Sequence, residues 1–167
     1  SALSNSTHII ICGGVSVGQY DYNKFILRDL KVKDIFWKVA QKPGKPMFYG
    51  IKNETSVFGM PGNPASSLVC YYNYVRPALL KYKGYTHTEA QMPKLAAKLS
   101  QALNKKPGRA HFIRGNVSGQ GDHFIAEPLH KQGSNMMVSF AQANCLIELP
   151  AEAEHLDEGT QVTVHRL

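Results

Sequence analysis

Two lysines three residues apart lie in the turn-forming segment Lys42-Pro-Gly-Lys-Pro46. Proline and glycine fix the backbone here, so both ammonium groups can point at one site with little ordering cost when an anion binds. Lys42 and Lys45, with Pro46 beside them, are therefore candidate ligands of an oxyanion or a phosphate. The alternative for a lysine pair is a solvated surface.

A glycine-rich turn precedes the lysine turn, in Cys12-Gly-Gly-Val-Ser-Val-Gly18. It joins a predicted strand to a predicted helix, so its backbone amides can face an anion at the positive end of the helix dipole. Asp21 stands where it could cap that helix or take part in the chemistry. A plain tight turn is the alternative. The candidate binding residues of this turn are Gly13, Gly14, Ser16 and Gly18.

A third turn, Gly59-Met-Pro-Gly-Asn-Pro64, follows the lysine turn. Asparagine caps helices and proline is tolerated at the first helical position, so a helix should begin here. Its amides offer a further anion site. The candidate binding residues are Pro61, Gly62, Asn63 and Ser66.

The elements that hold these turns indicate an α/β domain. Strands are predicted at 8–12, 35–40, 47–49 and 56–58, the last two as a hairpin, with one helix at 21–30 and a second that begins at 64, continues through 75 and ends at 83–85. Pro77 should kink the second helix or mark a boundary in it. Because each turn follows a predicted strand, we expect all three to meet at one end of a sheet, where open α/β sheets bind ligands.

The pattern changes after a polar linker. Short alternating runs separated by glycines lie at 94–103, 110–117, 123–128, 136–140, 145–149 and 161–167, which predicts a small β-barrel or sandwich. The predicted domains are residues 1–86 and 94–167, with 87–93 as linker. Because the chain opens on a strand typical of a sheet interior, we expect the first domain to be incomplete.

Composition narrows the class of protein. Hydrophobic content of 43% with 19% charged residues fits a globular chain. No signal peptide or membrane span is evident, so a cytoplasmic protein without membrane contact is expected. Three scattered cysteines argue against a disulfide framework and suggest buried or partly buried thiols, and the histidine spacing argues against a metal site.

The net charge of +7 is unevenly distributed. Residues 1–85 hold 11 Lys and Arg against 4 Asp and Glu, whereas residues 86–167 hold 8 against 8. The excess of positive charge therefore lies in the half of the chain that contains the three turns, and it could attract an anionic small molecule. Without an aromatic RNA-binding motif or a basic amphipathic helix, nucleic acid is not expected as a partner.

Taken in order, CGGVSVGQYDY, KPGKP and GMPGNPASS resemble the MoeA family of molybdopterin molybdenumtransferases, which includes the E domain of gephyrin. PGRAHFIR, QGS and ANCLIELP in the second half resemble its C-terminal barrel. The resemblance implies an incomplete, MogA-like three-layer α/β domain followed by that barrel. It also implies insertion of molybdate into adenylylated molybdopterin with Mg²⁺, in a homodimer that could contact other molybdenum cofactor biosynthesis proteins.

The resemblance also implies roles for single residues. Asp21, Lys42 and Lys45 match catalytic positions, and Asp21 is the candidate Mg²⁺ ligand. Arg114 and Ser134 match the molybdate pocket where the barrel meets the α/β domain, and a planar guanidinium suits a tetrahedral oxyanion.

One departure from the family pattern opens an alternative function. Ser6-Thr7-His8 stands where the family has an aspartate, so we expect one active-site carboxylate to be absent. A second hypothesis is therefore a non-catalytic binding or scaffold module of the gephyrin E-domain type.

Overall fold

The computed structural model describes residues 2–14, 23–130, 132–133 and 137–167. Among the described residues, no helix is long and apolar enough to cross a membrane. The elements of the first half are α1 (Ala2–Asn5), β1 (His8–Cys12), α2 (Asn23–Asp29), β2 (Lys33–Trp37), β3 (Gln41–Lys42), β4 (Phe48–Lys52), β5 (Thr55–Met60), α3 (Pro64–Cys70), a π-helical segment (Tyr71–Val75), α4 (Arg76–Tyr82) and α5 (His87–Ala90). The second half contains β6 (Lys94–Leu99), β7 (Leu103–Asn104), β8 (Ala110–Gln120), β9 (His123–Pro128), α6 (Val138–Gln142), β10 (Cys145–Leu149), β11 (His155–Leu156) and β12 (Gln161–Arg166).

A four-stranded sheet in the order β1-β5-β4-β2 forms the first domain. β1 runs parallel to β5, and β4 and β5 form the predicted hairpin. The register pairs Cys12 with Met60 and Phe48 with Gly59. The ends of β1 and β5 and the start of β4 therefore lie at the same edge of the sheet, which is where the three turns begin or end.

A closed five-stranded barrel forms the second domain. β10, β12, β6, β9 and β8 follow one another around it, and β8 closes the ring by pairing with β10. Its interior is filled by aliphatic side chains such as Leu99, Ile147 and Val164. The predicted fold class, an α/β domain followed by a small all-β barrel, is confirmed.

The strand β3 belongs to the first domain in sequence and to the barrel in space. It pairs parallel to β8, with Gln41 opposite Ala110 and Lys42 opposite His111. The amide of Ala110 donates to the carbonyl of Ala40 at 3.0 Å. The lysine turn is thereby held against the barrel wall.

A small apolar cluster completes the junction of the two domains. Val69 of α3 packs with Met92 and with Leu146 of β10, all three buried, and Phe112 and Phe140 cover them. Arg76 donates to the carbonyl of Ala90 at 3.2 Å. The junction therefore combines backbone pairing with apolar packing.

The helix from Pro64 to Tyr82 is continuous but irregular. It begins after Asn63 as predicted. The Asn63 side chain makes no N-cap hydrogen bond to the amides at the start of the helix, which lie in the described part of the chain. A π-helical segment then precedes α4, which has Pro77 in its first turn. The predicted boundary at Pro77 is confirmed, and it takes the form of a wider helical turn.

Several predicted elements differ in the structure. The strand predicted at 35–40 spans Lys33–Trp37, and it ends before Lys38, whose φ of 76° is incompatible with a strand. The polar linker contains the short helix α5, closed by a capping box between Thr86 and Glu89. The region 136–140, predicted as a strand, contains the helix α6 in its described part because β8 and β10 pair directly and leave no place for another strand between them.

Two burial predictions also need correction. β1 is an edge strand of the described sheet rather than an interior one, and Ile10 is 42% exposed. Cys70 and Cys145 are buried as predicted, but Cys12 is exposed.

The lysine turn sits on the helix that follows the third turn. The Cys70 thiol donates to the carbonyl of Gly44 at 3.4 Å, and Gln41 donates to the carbonyl of Pro43 at 2.9 Å. Tyr74 donates to the Gln41 side chain at 2.6 Å. Gly44 has a φ of +92°, and a Cβ at this position would lie 2.6 Å from the Cys70 sulfur. Only glycine allows this close seating.

We predict that Gly44→Ala destabilises the protein by about 3 kcal/mol, because alanine combines left-handed strain with overpacking against Cys70. Gly84→Ala is the matched control, since Gly84 has a φ of +95° but a methyl group added there would have no atom within 4 Å. It should cost only about 1 kcal/mol. Urea unfolding measures both, and equal losses for the two variants would contradict close seating of the lysine turn.

Candidate active site

The first and third turns are in contact at the carboxyl ends of β1 and β5. The Gly13 amide donates to the carbonyl of Met60 at 2.9 Å. A Cβ on Gly62 would lie 3.4 Å from the Gly13 Cα. The side chain of Asn23, at the start of α2, donates to the carbonyl of Gly13 at 2.9 Å and fixes this turn to the helix. Two of the three predicted turns therefore form one surface.

The lysine turn joins this surface through α3. Ser66 of α3 is only 6% exposed, and its carbonyl would lie 3.3 Å from a Cβ on Gly44. Val39 and Met47 both donate to the carbonyl of Lys45 at 2.9 Å, which fixes the backbone that carries the second lysine. The Lys42 and Lys45 side chains remain exposed. The three turns thus meet at one end of the sheet, as the sequence predicted.

Burial separates the candidate residues of the third turn. Pro61 and Ser66 are buried, whereas Gly62 is exposed and Asn63 is half-buried. The Ser67 hydroxyl donates to the carbonyl of Pro61 and closes the turn. Gly62 and Asn63 are therefore the residues of this turn that an anion can reach in the described structure, while Pro61 and Ser66 shape it from below.

Arg114 of β8 is the buried cation of the barrel. It is 2% exposed, donates to the carbonyl of Gly133 at 3.2 Å and lies 5.4 Å from the ring of Phe140. Its backbone exchanges two hydrogen bonds with the Gln132 side chain, at 3.0 and 2.7 Å. Burial lowers the pKa of the Arg114 guanidinium. The Gln132-Gly133 segment is thereby tied to the arginine that precedes it by some twenty residues in sequence.

A basic cavity of about 500 Å³ lies between the lysine turn and the barrel. We define it by its lining, which is Lys42, Asn104, Lys105, Lys106, Pro107, Arg109 and His111. Four of these side chains are cationic, and no carboxylate is present in the described lining. The pairing of β3 with β8 creates this cavity, because it places Lys42 opposite His111.

Lys105 anchors the loop that forms one wall of the basic cavity. Its ammonium donates to the carbonyls of Pro150, Ala151 and Ala153 at 2.8, 3.0 and 2.9 Å. Because an ammonium has three hydrogens, these bonds use its full donor capacity. Lys105 therefore contributes charge to the cavity and no further hydrogen bond.

His111 is a neutral donor or acceptor within this positive surrounding. Burial, followed in order of size by the charges of Lys42, Lys105, Arg109 and Arg114, lowers its pKa to about 4. At neutral pH the imidazole adds no charge to the cavity. An anion entering the cavity would offset the repulsion and favour its protonation.

Some sequence-predicted residues lie outside the described parts of the chain. These are Ser16, Gly18, Asp21 and Ser134. Their roles stay predictions from the resemblance. The remaining candidates divide between the surface of the three turns and the barrel wall around Arg114.

The sequence analysis missed the residues that line most of the basic cavity. Lys105 and Lys106 form a dibasic pair, and Arg109 and His111 belong to the same PGRAHFIR segment from which only Arg114 was selected. The dibasic pair and the glycine of Pro107-Gly108-Arg109 were the available signals. No signal in the sequence indicated the pairing of β3 with β8, which brings Lys42 next to these residues.

The described residues do not form a metal site. Within 2–14, 23–130, 132–133 and 137–167, no group of three or more His, Cys, Asp or Glu side chains could hold a metal ion. Thr7 and His8 occupy the approach to β1, and they bond to each other at 3.1 Å. These donors do not fit Mg²⁺, which prefers carboxylate oxygens.

Comparison with known proteins matches the two halves of the chain to two different family models. The family model described as "Probable molybdopterin binding domain" matches residues 1–81. The model described as "MoeA C-terminal region (domain IV)" matches residues 96–167. The two matches together span both domains.

Individual relatives agree with these matches. The molybdopterin molybdenumtransferase of Haemophilus influenzae is 36% identical over 98% of this chain and 40% of its own length. The Drosophila melanogaster protein named molybdenum cofactor synthesis protein cinnamon is 32% identical over 86% of this chain and 24% of its own. A solved structure of a Pyrococcus molybdopterin biosynthesis MoeA protein superposes with a TM-score of 0.75 at 31% identity, covering 99% of this chain and 38% of that one.

We predict that His111 makes the protein less stable as the pH falls. Between its ordinary pKa of 6.5 and the folded value of about 4, the unfolded chain binds a proton that the folded chain does not. The free energy of unfolding should therefore fall by about 2 kcal/mol as the pH decreases through this window. Urea unfolding from pH 7 to pH 4 measures it, with His111→Gln as the comparison. Parallel pH profiles for parent and variant would contradict the assignment.

Proposed function

Because the chain belongs to the MoeA family, we propose that it binds adenylylated molybdopterin and molybdate as the C-terminal part of a molybdopterin molybdenumtransferase. The chain spans 40% of the length of the Haemophilus influenzae relative. The activity of the complete enzyme is therefore proposed for the protein in the context of such a longer chain. Binding of the two substrates is proposed for these 167 residues.

The observation that carries this proposal is the meeting of the three turns. Gly13 contacts Gly62, and Gly44 is seated on the helix that begins after Asn63. Two exposed lysines and the exposed Gly62 therefore lie at one end of the sheet. Such a surface suits a molecule with a phosphate group and an oxyanion beside it.

We assign electrostatic roles to the described residues. Lys42 and Lys45 would hold molybdate and stabilise the charge of the departing adenylyl phosphate, from a turn whose backbone is already fixed. Arg114 would supply a planar donor pair from the barrel side. Arg114 bonds to Gly133, the residue that precedes Ser134 in the sequence. Ser16, Gly18 and Asp21 would complete the phosphate side of the site.

A magnesium ion supplies further charge neutralisation when bound to such a phosphate. The described donors do not fit that ion. Asp21 remains the sequence-predicted ligand. A homodimer and contacts with other cofactor biosynthesis proteins are proposed on the resemblance alone.

The alternative of a non-catalytic scaffold is not favoured. Relatives from Haemophilus influenzae and Synechocystis, 36% and 32% identical, carry the name molybdopterin molybdenumtransferase. The chain also retains both lysines and the barrel arginine that the enzymatic role requires. A scaffold would not need them.

We predict that Lys45→Ala weakens binding of molybdate and adenylylated molybdopterin by roughly 10- to 100-fold. The variant loses one charge-assisted contact, worth about 1.5–3 kcal/mol. Lys33→Ala is the matched control, because Lys33 is an exposed lysine on β2 whose partner Ile51 lies at the opposite end of the same sheet. Isothermal titration calorimetry of each variant measures the effect. Equal affinities for parent and Lys45→Ala would refute the role of the lysine turn.

A further inference from the structure

The basic cavity holds more positive charge than its surroundings neutralise. Lys42, Lys106 and Arg109 are exposed. In the part of the chain that the structure describes, the ion pairs are His155 with Asp157 and His165 with Glu148, and neither involves these three side chains. Converging like charges repel one another, and an anion in the cavity would remove that repulsion.

The wall that carries these charges is rigid. Lys105 holds three carbonyls of the 150–153 segment, and its amide donates to the carbonyl of Glu154 at 2.9 Å. The Gly108 amide donates to the carbonyl of Ala151 at 2.8 Å. β7 also pairs with β11 at the start of the loop. Because the backbone is fixed in advance, an anion need order only the tips of Lys106 and Arg109.

The cavity is separate from the surface of the three turns, although the two share Lys42. Lys45, Gly62 and Arg114 do not line it. Its volume of about 500 Å³ exceeds what an inorganic ion fills and lies in the range of sites for small organic ligands. The ligand can therefore carry an organic group beyond its anionic part.

His111 can sense the occupant of the cavity. The charged groups that face it are Lys42 from β3, Lys105 and Arg109 from the loop, and Arg114 from its own strand. Burial and these four cations keep the imidazole neutral, and an anion in the cavity would offset the four charges. Protonation then provides a second N–H donor at the cavity wall.

We propose that the basic cavity is a second binding site for a phosphate-type dianion, in which Lys42, Lys106 and Arg109 bind the oxygens and His111 takes up a solvent proton as the anion enters. Free phosphate and the phosphate group of an organic ester share this chemistry. The proposal rests on the proposed function only through Lys42, so it can be tested without the pterin substrate.

The first test measures affinity by calorimetry at constant ionic strength, with inorganic phosphate and phenyl phosphate as probes. Lys106→Ala combined with Arg109→Ala should weaken binding of both by at least tenfold. Lys94→Ala combined with Lys98→Ala is the matched control, since it removes the same charge from exposed positions of β6. The control should stay within twofold of the parent. Equal losses in the two double variants would overturn the proposal.

The same titrations show whether the ligand carries an organic group. Tighter binding of phenyl phosphate than of inorganic phosphate assigns the cavity to an ester. Equal affinity assigns it to free phosphate. Both outcomes support the dianion site, whereas binding of neither probe would overturn it.

The second test follows the His111 ring by NMR and uses sulfate, which keeps its charge from pH 7 to pH 5. Saturating sulfate should raise the pKa of His111 from about 4 by at least one unit, so sulfate affinity should rise as the pH falls. His111→Gln should bind with little pH dependence. An unchanged His111 titration in the presence of sulfate would overturn the proposed proton uptake.

Lys45→Ala distinguishes this proposal from the proposed function. Lys45 does not line the basic cavity, so in the variant the binding of sulfate and phenyl phosphate, read from the His111 ring by NMR, should stay within twofold of the parent. Loss of molybdate binding with intact sulfate binding would support two sites. Loss of both in Lys45→Ala would merge the cavity with the site of the three turns and overturn its separate assignment.

Discussion

The pairing of two residues, Gln41 and Lys42, with the barrel strand β8 is the constraint on which the rest of the structure depends. This short parallel ladder makes a segment of the α/β domain part of the barrel sheet. It fixes the lysine turn between the two domains and creates the basic cavity at the same time. Gln41, nearly fully buried, extends the constraint inward by bonding to Pro43 and Tyr74. Backbone pairing and a buried amide network thus position charges that would otherwise repel one another.

The charges at this junction differ in what they can do. Lys105 has all its hydrogens committed to carbonyls, and the buried Arg114 donates to Gly133, so both act from fixed positions. Lys42, Lys45, Lys106 and Arg109 extend from the surface. Burial and the charges of Lys42, Lys105, Arg109 and Arg114 keep His111 neutral, and the exposed cations are also able to contact an anion. The fixed cations therefore provide a preorganised electrostatic field, and the exposed side chains can adjust their positions to a bound anion.

Features with local signals could be predicted from the sequence. The hairpin of β4 and β5, the helix after Asn63 and the boundary at Pro77 each follow from a few adjacent residues. The meeting of the three turns also followed, because parallel strands end at one edge. The failures have a common cause in non-local pairing. The 136–140 region contains a helix because β8 and β10 close the barrel without it, and the apolar run itself does not distinguish the two states.

The residues of the candidate site likewise divide into those with a local signal in the sequence and those whose role depends on non-local pairing. Lys42 and Lys45 could be selected from their turn, and Arg114 from the family resemblance. The sequence did not identify His111, Lys106 and Arg109 as candidate ligands. Their role depends on contact with Lys42, which lies about seventy residues earlier in the chain. The lowered pKa of His111 likewise arises from its burial and from charges on three separate segments. No single short stretch of the sequence contains all the groups that lower this pKa.

The π-helical segment at Tyr71–Val75 has a consequence for how the chain can vary in length. It follows Cys70, which bonds to Gly44, and it contains Tyr74, which bonds to Gln41, and Tyr72, which packs toward the barrel. Deleting one residue here would turn the wide π turn into an ordinary α-helical turn of nearly the same total rotation, so α4 would keep its orientation relative to α3. The helix can therefore gain or lose one residue at this point with less disturbance than elsewhere along its length, and a one-residue gap placed here in an alignment does not by itself mark a different seating of the lysine turn.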